Sequence, residues 1–164
     1  MQPDHTHAAE TFRFTCLNGS TFELDGGQVV LVVNTASQCG FAKQLPALQT
    51  LHERYHSQGF TLLGVSSQSF RKQEFDEPCA IATSLQKKGG NITFPITQLE
   101  AVRGKNIHPF YAWAATQVSL LGRPKWNFHK YLVGRGNKLI TWFSSATDPL
   151  SPKILEAVET ALQA

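Results

Sequence analysis

Length, composition and charge place the chain among ordinary globular proteins. It has 164 residues, of which 41% are hydrophobic, which is enough for one core and short for two. The formal charge of +3 is too small to indicate a nucleic-acid partner. No apolar run approaches the ~20 residues of a membrane span, and the polar start lacks the apolar centre of a signal peptide. We expect a flexible arm over residues 1–10 and a single domain over residues 11–164. We place it in the cytoplasm, or in the periplasm if a signal peptide has been removed.

The first elements in chain order are two short strands. Two runs of alternating polar and apolar residues flank the turn signal Asn18-Gly19, which predicts an N-terminal β-hairpin. Cys16 alternates in step with Phe12 and Phe14. We therefore interpret it as a small buried hydrophobic side chain without a redox role.

A βαβ unit follows the hairpin. A buried strand over residues 29–33, a helix over 41–56 and a second buried strand over 60–66 predict two parallel strands with a right-handed connection. Cys39 lies where the first strand leads into the helix, and the free N–H groups and the dipole there stabilise a thiolate. A helix start stabilises a negative charge by only ~0.3 to 1 kcal/mol, so a reactive thiolate needs further hydrogen-bond donors. The serines that follow the second strand should lie near Cys39, because the carboxyl ends of parallel strands meet.

The remaining elements complete a mixed α/β fold. Patterns of apolar residues, turns and helix starts predict the following, in order: a helix over 76–88, a short strand at 94–96, a helix from His108, strands at 126–133 and 138–143, and a helix from Ser151. This layout is that of a thioredoxin-like fold, a central mixed β-sheet flanked by helices. Dithiol oxidoreductases of that fold need Cys-x-x-Cys, and Ala42 stands at the second position here. A single peroxide-reducing cysteine is therefore the better interpretation.

Two separated motifs carry a family resemblance. The run Val33-Asn34-Thr35-Ala36-Ser37-Gln38-Cys39-Gly40 resembles the active-site signature of the glutathione peroxidase family, and Trp126-Asn127-Phe128-His129-Lys130 resembles its second signature. Residues 64–74, the helix start at 108–109 and the approach to the last helix at 148–150 are also similar. The resemblance runs from about Phe12 to the C-terminus.

The resemblance implies a thiol peroxidase. Cys39 would attack hydrogen peroxide or an organic hydroperoxide as a thiolate and become a sulfenic acid, which a thiol reductant, thioredoxin or glutathione, would reduce; no metal or organic cofactor is implied. Such chemistry needs an exposed thiol with nearby hydrogen-bond donors. By the same resemblance, the indole of Trp126 and the amide of Asn127 are those donors. Neighbours on a regular strand face opposite ways, so both can reach the sulfur only if the chain is irregular there.

The chain departs from the family at a glutamine. The family's Asn-Gln-Phe aligns with Gln68-Ser69-Phe70, which puts Ser69 at the catalytic glutamine position. Three alternatives stay open: Ser69 acts through a water molecule, Gln68 turns inward, or the donor is lost. Cys79 is either a displaced resolving thiol or a bystander, because it precedes the place of the family's resolving cysteine. The family's oligomerisation insert is absent or short, which predicts a monomer.

The histidines and basic residues are less informative. No Cys/His spacing matches a zinc site. Five basic residues either surround the pocket and attract an acidic thiol or form an ordinary solvated face: Arg71, Lys72, Arg103, Arg123 and Lys125. Two rival functions remain beside the peroxidase. One is a peroxide sensor with poor turnover, and the other is a non-catalytic thioredoxin-like binding module.

Overall fold

The computed structural model describes residues 10–164. The predicted N-terminal arm lies outside the described residues except for Glu10, whose carbonyl oxygen accepts a hydrogen bond from Nδ2 of Asn137. In chain order the elements are β1 (Phe12–Thr15), β2 (Thr21–Leu24), β3 (Val29–Thr35), α1 (Leu45–Tyr55), β4 (Phe60–Ser66), α2 (Pro78–Gly89), α3 (Pro109–Gln117), β5 (Lys130–Gly134), β6 (Lys138–Phe143) and α4 (Pro152–Gln163). Short 3₁₀ helices lie at Gly40–Gln44, His56–Gln58 and Leu120–Gly122. The order of strands and helices is the predicted one, except that the short strand predicted at 94–96 is absent and Ile96 forms only an isolated bridge to Gly64.

The central sheet has four strands in the order β4-β3-β5-β6. The strands β3 and β4 are parallel over their whole length, while β5 pairs antiparallel with both β3 and β6. Every residue of β3 and β4 is buried, because helices or loops cover both faces. This arrangement confirms the predicted thioredoxin-like layout.

The predicted hairpin is also present. The strands β1 and β2 pair antiparallel, with Phe12 opposite Leu24 and Phe14 opposite Phe22. Cys16 is buried next to β1, as its parity predicts. The hairpin forms a separate two-stranded sheet.

Two apolar clusters lie on opposite faces of the central sheet. One contains alternate residues of β3 with the inner faces of α1, α2 and α4, among them Leu31, Leu48 and Ile154. The other contains the remaining side chains of β3 with the hairpin and α3, among them Val32 and Phe110. Residues of β3 contribute to both clusters, which fixes its position and the position of the turn that follows it.

Two boundaries differ from the sequence prediction. The regular α-helix begins at Leu45 and not at residue 41, after a 3₁₀ turn. Pro46 explains this shift, because a proline is tolerated only in the first turn of an α-helix. The predicted strand from Trp126 begins only at Lys130, and Trp126–His129 is irregular. Over residues 10–164, none of the helices is both long and apolar enough to cross a bilayer.

Candidate active site at the end of the central strand

Cys39 lies in the turn between β3 and α1. It caps the 3₁₀ helix Gly40–Gln44 with an extended backbone, and its Sγ accepts a hydrogen bond from the backbone N–H of Phe41 at 3.4 Å. A helix start presents free N–H groups and favours negative charge. The turn therefore supplies one direct donor to a thiolate.

The thiol is less exposed than the sequence analysis requires of a peroxide-reducing group. Cys39 exposes 5% of its surface and belongs to the apolar cluster that also contains Ala36 and Ala42. The flanking residues Gln38 and Gly40 are exposed. A Cβ added at Gly40 would meet nothing within 4 Å. The open space at Gly40 is therefore the side from which a small molecule can approach this turn.

The Trp126–Phe128 segment is held against the end of β3 by Asn34. Nδ2 of Asn34 donates to the carbonyl oxygen of Trp126 at 3.2 Å, and the backbone N–H of Phe128 donates to the carbonyl oxygen of Asn34 at 2.6 Å. Asn34 precedes Cys39 by five residues. The two motifs that the sequence analysis singles out therefore lie at the same end of β3.

The backbone of Trp126–His129 is irregular, which is the condition under which both Trp126 and Asn127 can reach the sulfur. Phe128 has a left-handed φ of 67°, which only a well-anchored non-glycine residue adopts. On a regular strand, Trp126 and Asn127 would point to opposite faces. Since the strand starts later, that restriction does not apply to them.

The side chain of Asn127 is fully buried and faces the loop after β4. Its Nδ2 donates to Oε1 of Gln73 at 3.2 Å, and its Oδ1 has no partner within residues 10–164. Trp126 is half-buried and contacts both apolar clusters. Across the part of the chain that the structure describes, no hydrogen bond joins either side chain to Cys39.

The two residues predicted near the missing family glutamine bond elsewhere. The hydroxyl of Ser69 accepts from the backbone N–H of Val102 at 3.1 Å and from the hydroxyl of Ser67 at 3.0 Å. The amide of Gln68 donates to the carbonyl oxygen of Glu74 and to the carboxylate of Asp76. Gln68 therefore stabilises its own loop and is not turned toward the thiol, whereas Ser69 also ties that loop to Val102.

Glu74 is a site residue that the sequence analysis missed. Its buried carboxylate accepts from the backbone N–H of Ser37 at 2.9 Å, from the hydroxyl of Ser37 at 2.5 Å and from the backbone N–H of Phe75 at 3.0 Å. Lys88, from the last turn of α2, donates to the carbonyl oxygen of Ser37. Ser37 is two residues before Cys39, so this carboxylate fixes the approach to the thiol. The available signal was the polar pair Gln73-Glu74 inside the segment that resembles the family.

Lys130 holds the other side of the site. Its Nζ is fully buried and donates to the carbonyl oxygens of Phe128 at 2.8 Å, Ser145 at 3.2 Å and Ser144 at 3.4 Å. Burial lowers the pKa of Lys130 to about 7, and the negative charge of Asp148 partly offsets this effect. The ammonium therefore pins the irregular segment to the loop after β6.

His129 is a second buried titratable group at the same place. Its Nε2 lies 2.9 Å from the carbonyl oxygen of Gly122, which requires a proton on that nitrogen, and its ring stacks on Trp142 at 5.5 Å. Burial lowers the pKa of His129 to about 4, and the bond to Gly122 acts in the opposite direction. His129 is therefore neutral at neutral pH.

Basic side chains surround the rings next to the site. The guanidinium of Arg71 lies 5.9 Å from the centre of the Trp126 ring, and that of Arg103 lies 4.1 Å from the centre of Phe70. A cavity of about 410 Å³ opens beside Trp126. Its walls combine aromatic and aliphatic groups with two cations: Phe41, Leu121, Trp126, Trp142, Arg123 and Lys125. The surroundings of Trp126 can therefore receive an apolar body that carries a negative charge.

The three cysteines are free and differ in exposure. Cys16 and Cys39 are buried, whereas Cys79 is exposed in the first turn of α2. Over residues 10–164, no group of three or more His, Cys, Asp or Glu side chains could hold a metal ion.

Comparisons with known proteins agree with the motifs. The glutathione peroxidase family model matches residues 10–115. The chain is 42% identical over 125 residues to a glutathione peroxidase-like peroxiredoxin of Schizosaccharomyces pombe, covering 75% of this chain and 78% of that protein. It is 35% identical over 148 residues to a hydroperoxy fatty acid reductase of Synechocystis, covering 84% of this chain and 87% of that protein.

A solved structure supports the same assignment. The crystal structure of Trgpx in its apo form has a TM-score of 0.72 and 32% sequence identity, and the match covers 93% of this chain and 94% of that one. The family match, the sequence identities and the meeting of the two motifs at the end of β3 all point to one conclusion. The chain belongs to the glutathione peroxidase family.

Proposed function

We propose that this protein is a thiol peroxidase that reduces hydrogen peroxide and organic hydroperoxides with Cys39. The observation that carries this proposal is the pair of hydrogen bonds between Asn34 and the Trp126–Phe128 segment, one donated by each side. They bring the predicted donors to the end of the strand that leads to the thiol. Family membership supports the same activity.

The reaction proceeds in two halves. The thiolate of Cys39 attacks one peroxide oxygen, so that an S–O bond forms, the O–O bond breaks and the sulfur loses two electrons to the peroxide. The departing oxygen takes up a proton and leaves as water or an alcohol, and Cys39 becomes a sulfenic acid. A first reductant thiol displaces water and forms a mixed disulfide, and a second thiol releases Cys39 in its reduced form.

Trp126 and Asn127 serve this reaction as hydrogen-bond donors. A donor that is fixed in advance stabilises the charge that develops on the departing oxygen without paying for reorientation. Asn127 is buried and Trp126 is anchored through its carbonyl oxygen, so both positions are set by the backbone. Ser69 and Gln68 contribute by holding the loop after β4.

The test is peroxide consumption with a thiol donor. The wild type should consume hydrogen peroxide, and Cys39→Ser should fall to the uncatalysed rate because no other thiol can replace it. Cys16→Ser is the matched control, since it removes a buried thiol from another part of the chain. Equal activity of the wild type and Cys39→Ser would end the proposal.

The reductant is thioredoxin or glutathione, and one measurement separates them. Mass spectrometry after a stoichiometric dose of peroxide should find either a Cys39–Cys79 disulfide, which indicates a thioredoxin route, or a lone sulfenic acid that forms a glutathione adduct. The cations Arg71, Arg123 and Lys125 near Trp126 would attract the carboxylates of glutathione.

The cavity beside Trp126 favours organic hydroperoxides as substrates. Its aromatic and aliphatic wall beside Trp126 suits an apolar body, and Arg123 and Lys125 suit a carboxylate at its end. The Synechocystis relative is named for hydroperoxy fatty acids. Activity with cumene hydroperoxide and with a fatty acid hydroperoxide tests this part of the proposal.

We favour the enzyme over the sensor and the binding module, because relatives over most of the chain are named peroxiredoxin and reductase. We also propose a monomer in the cytoplasm. Three free thiols suit a reducing compartment. Light scattering during gel filtration tests the monomer, and a dimer would direct attention to the exposed pair Leu120 and Leu121.

A further inference from the structure

The side chain of Gln73 lies between the two halves of the candidate site. Its carbonyl oxygen accepts from the backbone N–H of Gln38 at 3.0 Å, so the chain at Gln73 runs beside the residue that precedes Cys39. Its Oε1 accepts from Nδ2 of the buried Asn127 at 3.2 Å. Gln73 therefore bridges the thiol turn and the Trp126–Phe128 segment.

The amide nitrogen of Gln73 has no other use in the fold. Since Oε1 is the acceptor of the Asn127 bond, the two N–H groups of Nε2 remain, and none of them bonds to another group within residues 10–164. The residue as a whole is half-buried. The amide of Gln68, by contrast, is occupied inside its own loop, and the hydroxyl of Ser69 is occupied by Val102 and Ser67.

The position of Gln73 is rigid. Its neighbour Glu74 is tied by a buried carboxylate to both the N–H and the hydroxyl of Ser37, and Lys88 holds the carbonyl oxygen of Ser37. The backbone on each side of the bridge is therefore fixed to the turn that carries Cys39. A donor held in this way does not have to reorganise when charge develops near the sulfur.

We propose that Gln73 is a further catalytic residue, whose Nε2 donates a hydrogen bond to the departing oxygen of the peroxide. The inference rests on the proposed peroxidase function. While the S–O bond forms at Cys39 and the O–O bond breaks, negative charge collects on the outer oxygen, and the N–H of Gln73 stabilises it. The proton that this oxygen finally takes up comes from water, so Gln73 is not consumed or oxidised.

Two substitutions separate the role of Nε2 of Gln73 as a donor from the role of its Oε1 as the acceptor of the Asn127 bond. Gln73→Met removes both the donor and the acceptor at similar size. Gln73→Glu keeps an oxygen that accepts from Asn127 but removes the N–H groups. Gln117→Met is the matched control, because it removes an exposed amide at the end of α3, outside the candidate site.

The measurement compares two reactions of the same thiol in the absence of reductant. One is the rate of oxidation by hydrogen peroxide, and the other is the rate of alkylation by iodoacetamide, which has no departing peroxide oxygen. The ratio of the two rates reports the donor independently of how much thiolate is present. The carboxylate of Gln73→Glu also repels the charge that develops on the departing oxygen, so it lowers the ratio in the same direction as the loss of the donor, and Gln73→Met is the variant without this charge. Thermal unfolding of each variant verifies the fold.

We expect the ratio to fall by at least about tenfold in both Gln73 variants, as for the loss of one donor to a developing oxyanion, and to stay within about threefold in Gln117→Met. An unchanged ratio in Gln73→Met overturns the proposal. A fall in Gln73→Met alone also overturns it, because Gln73 would then only position Asn127. If Gln73→Met does not fold, Gln73→Leu takes its place, since it also lacks both the donor and a charge. Failure of the proposed function is separate, since the wild-type protein would then not react with peroxide at all.

Discussion

Two segments flank Cys39, and each ends in a buried charge that bonds to the backbone. The Trp126–Lys130 segment ends in an ammonium that donates to three carbonyl oxygens. The loop after β4 ends in the carboxylate of Glu74, which accepts from two backbone N–H groups and a hydroxyl. The two anchors have opposite signs and bind opposite ends of the peptide group.

The comparison of these two anchors shows how an irregular segment is held rigid beside a thiol. Backbone groups outside helices and strands lack regular partners, and buried ones need them. A lysine can satisfy several carbonyl oxygens and a glutamate can satisfy several N–H groups, so each segment uses the ion that its free groups require. The cost is the desolvation of a charge. The predictions below test that cost and its benefit.

The largest expected effect is the pH dependence that Lys130 causes. The pKa of Lys130 is 10.5 in the unfolded chain and about 7 in the folded protein, so between these pH values the unfolded state binds a proton that the folded state does not. The free energy of unfolding should therefore rise with pH over this window, by on the order of 4 kcal/mol.

Urea unfolding of the wild type and Lys130→Met at pH 7 and at about pH 9.5 measures this effect. The variant cannot titrate at this position, so the wild type should gain stability relative to it as the pH rises. Lys138→Met is a matched control, because Lys138 is an exposed lysine in β6. A constant difference between wild type and Lys130→Met would contradict the prediction.

His129 should produce the next largest effect, at acidic pH. Its pKa is 6.5 in the unfolded chain and about 4 in the folded protein, so its contribution to stability is complete above pH 6.5 and is lost as the pH falls toward 4. The loss should be on the order of 3 kcal/mol. His129→Gln keeps a donor for Gly122 and should remove this part of the acid dependence in urea unfolding. His56→Gln, at an exposed histidine, should leave it in place.

Glu74→Gln tests the anionic anchor. An amide offers one acceptor oxygen, and its NH₂ group would face donors in place of the second oxygen, so we expect a loss of about 2 kcal/mol at neutral pH. The peroxide rate should fall as well, because the turn before Cys39 loosens. Urea unfolding and peroxide oxidation are the measurements. The control is Glu77→Gln, whose exposed side chain makes no capping hydrogen bond. Equal effects of the two substitutions would show that the carboxylate is not an anchor.

Ser69→Ala should have the smallest effect. The hydroxyl accepts from the N–H of Val102 and from Ser67, so its loss should cost about 1 kcal/mol in stability. The rate of peroxide oxidation should stay within about threefold of the wild type, because Val102 and Ser67 already occupy the hydroxyl of Ser69. A loss of activity as large as that of Gln73→Met would show that Ser69 acts at the thiol after all.

The fold could be predicted because its signals are local. Alternation around Asn18-Gly19 predicts the hairpin, and the apolar run before Cys39 predicts the buried strand. The start of α1 was predicted at residue 41 and lies at Leu45. Pro46 sets this start by a steric effect, and the spacing of apolar residues does not reveal such an effect. The strand start at Trp126 was wrong for a related reason: a buried aromatic residue has the same sequence signature in a strand and in an anchored irregular segment.

The sequence by itself determined the order of elements, the buried central strand and the cysteine that follows it. These depend on interactions between neighbours along the chain, which composition and spacing encode. Only the tertiary structure decided that Asn127 bonds to Gln73, that Ser69 bonds to Val102 and that Glu74 and Lys130 hold the site. Such bonds join residues far apart in the chain, and their partners are selected by which backbone groups burial leaves unpaired.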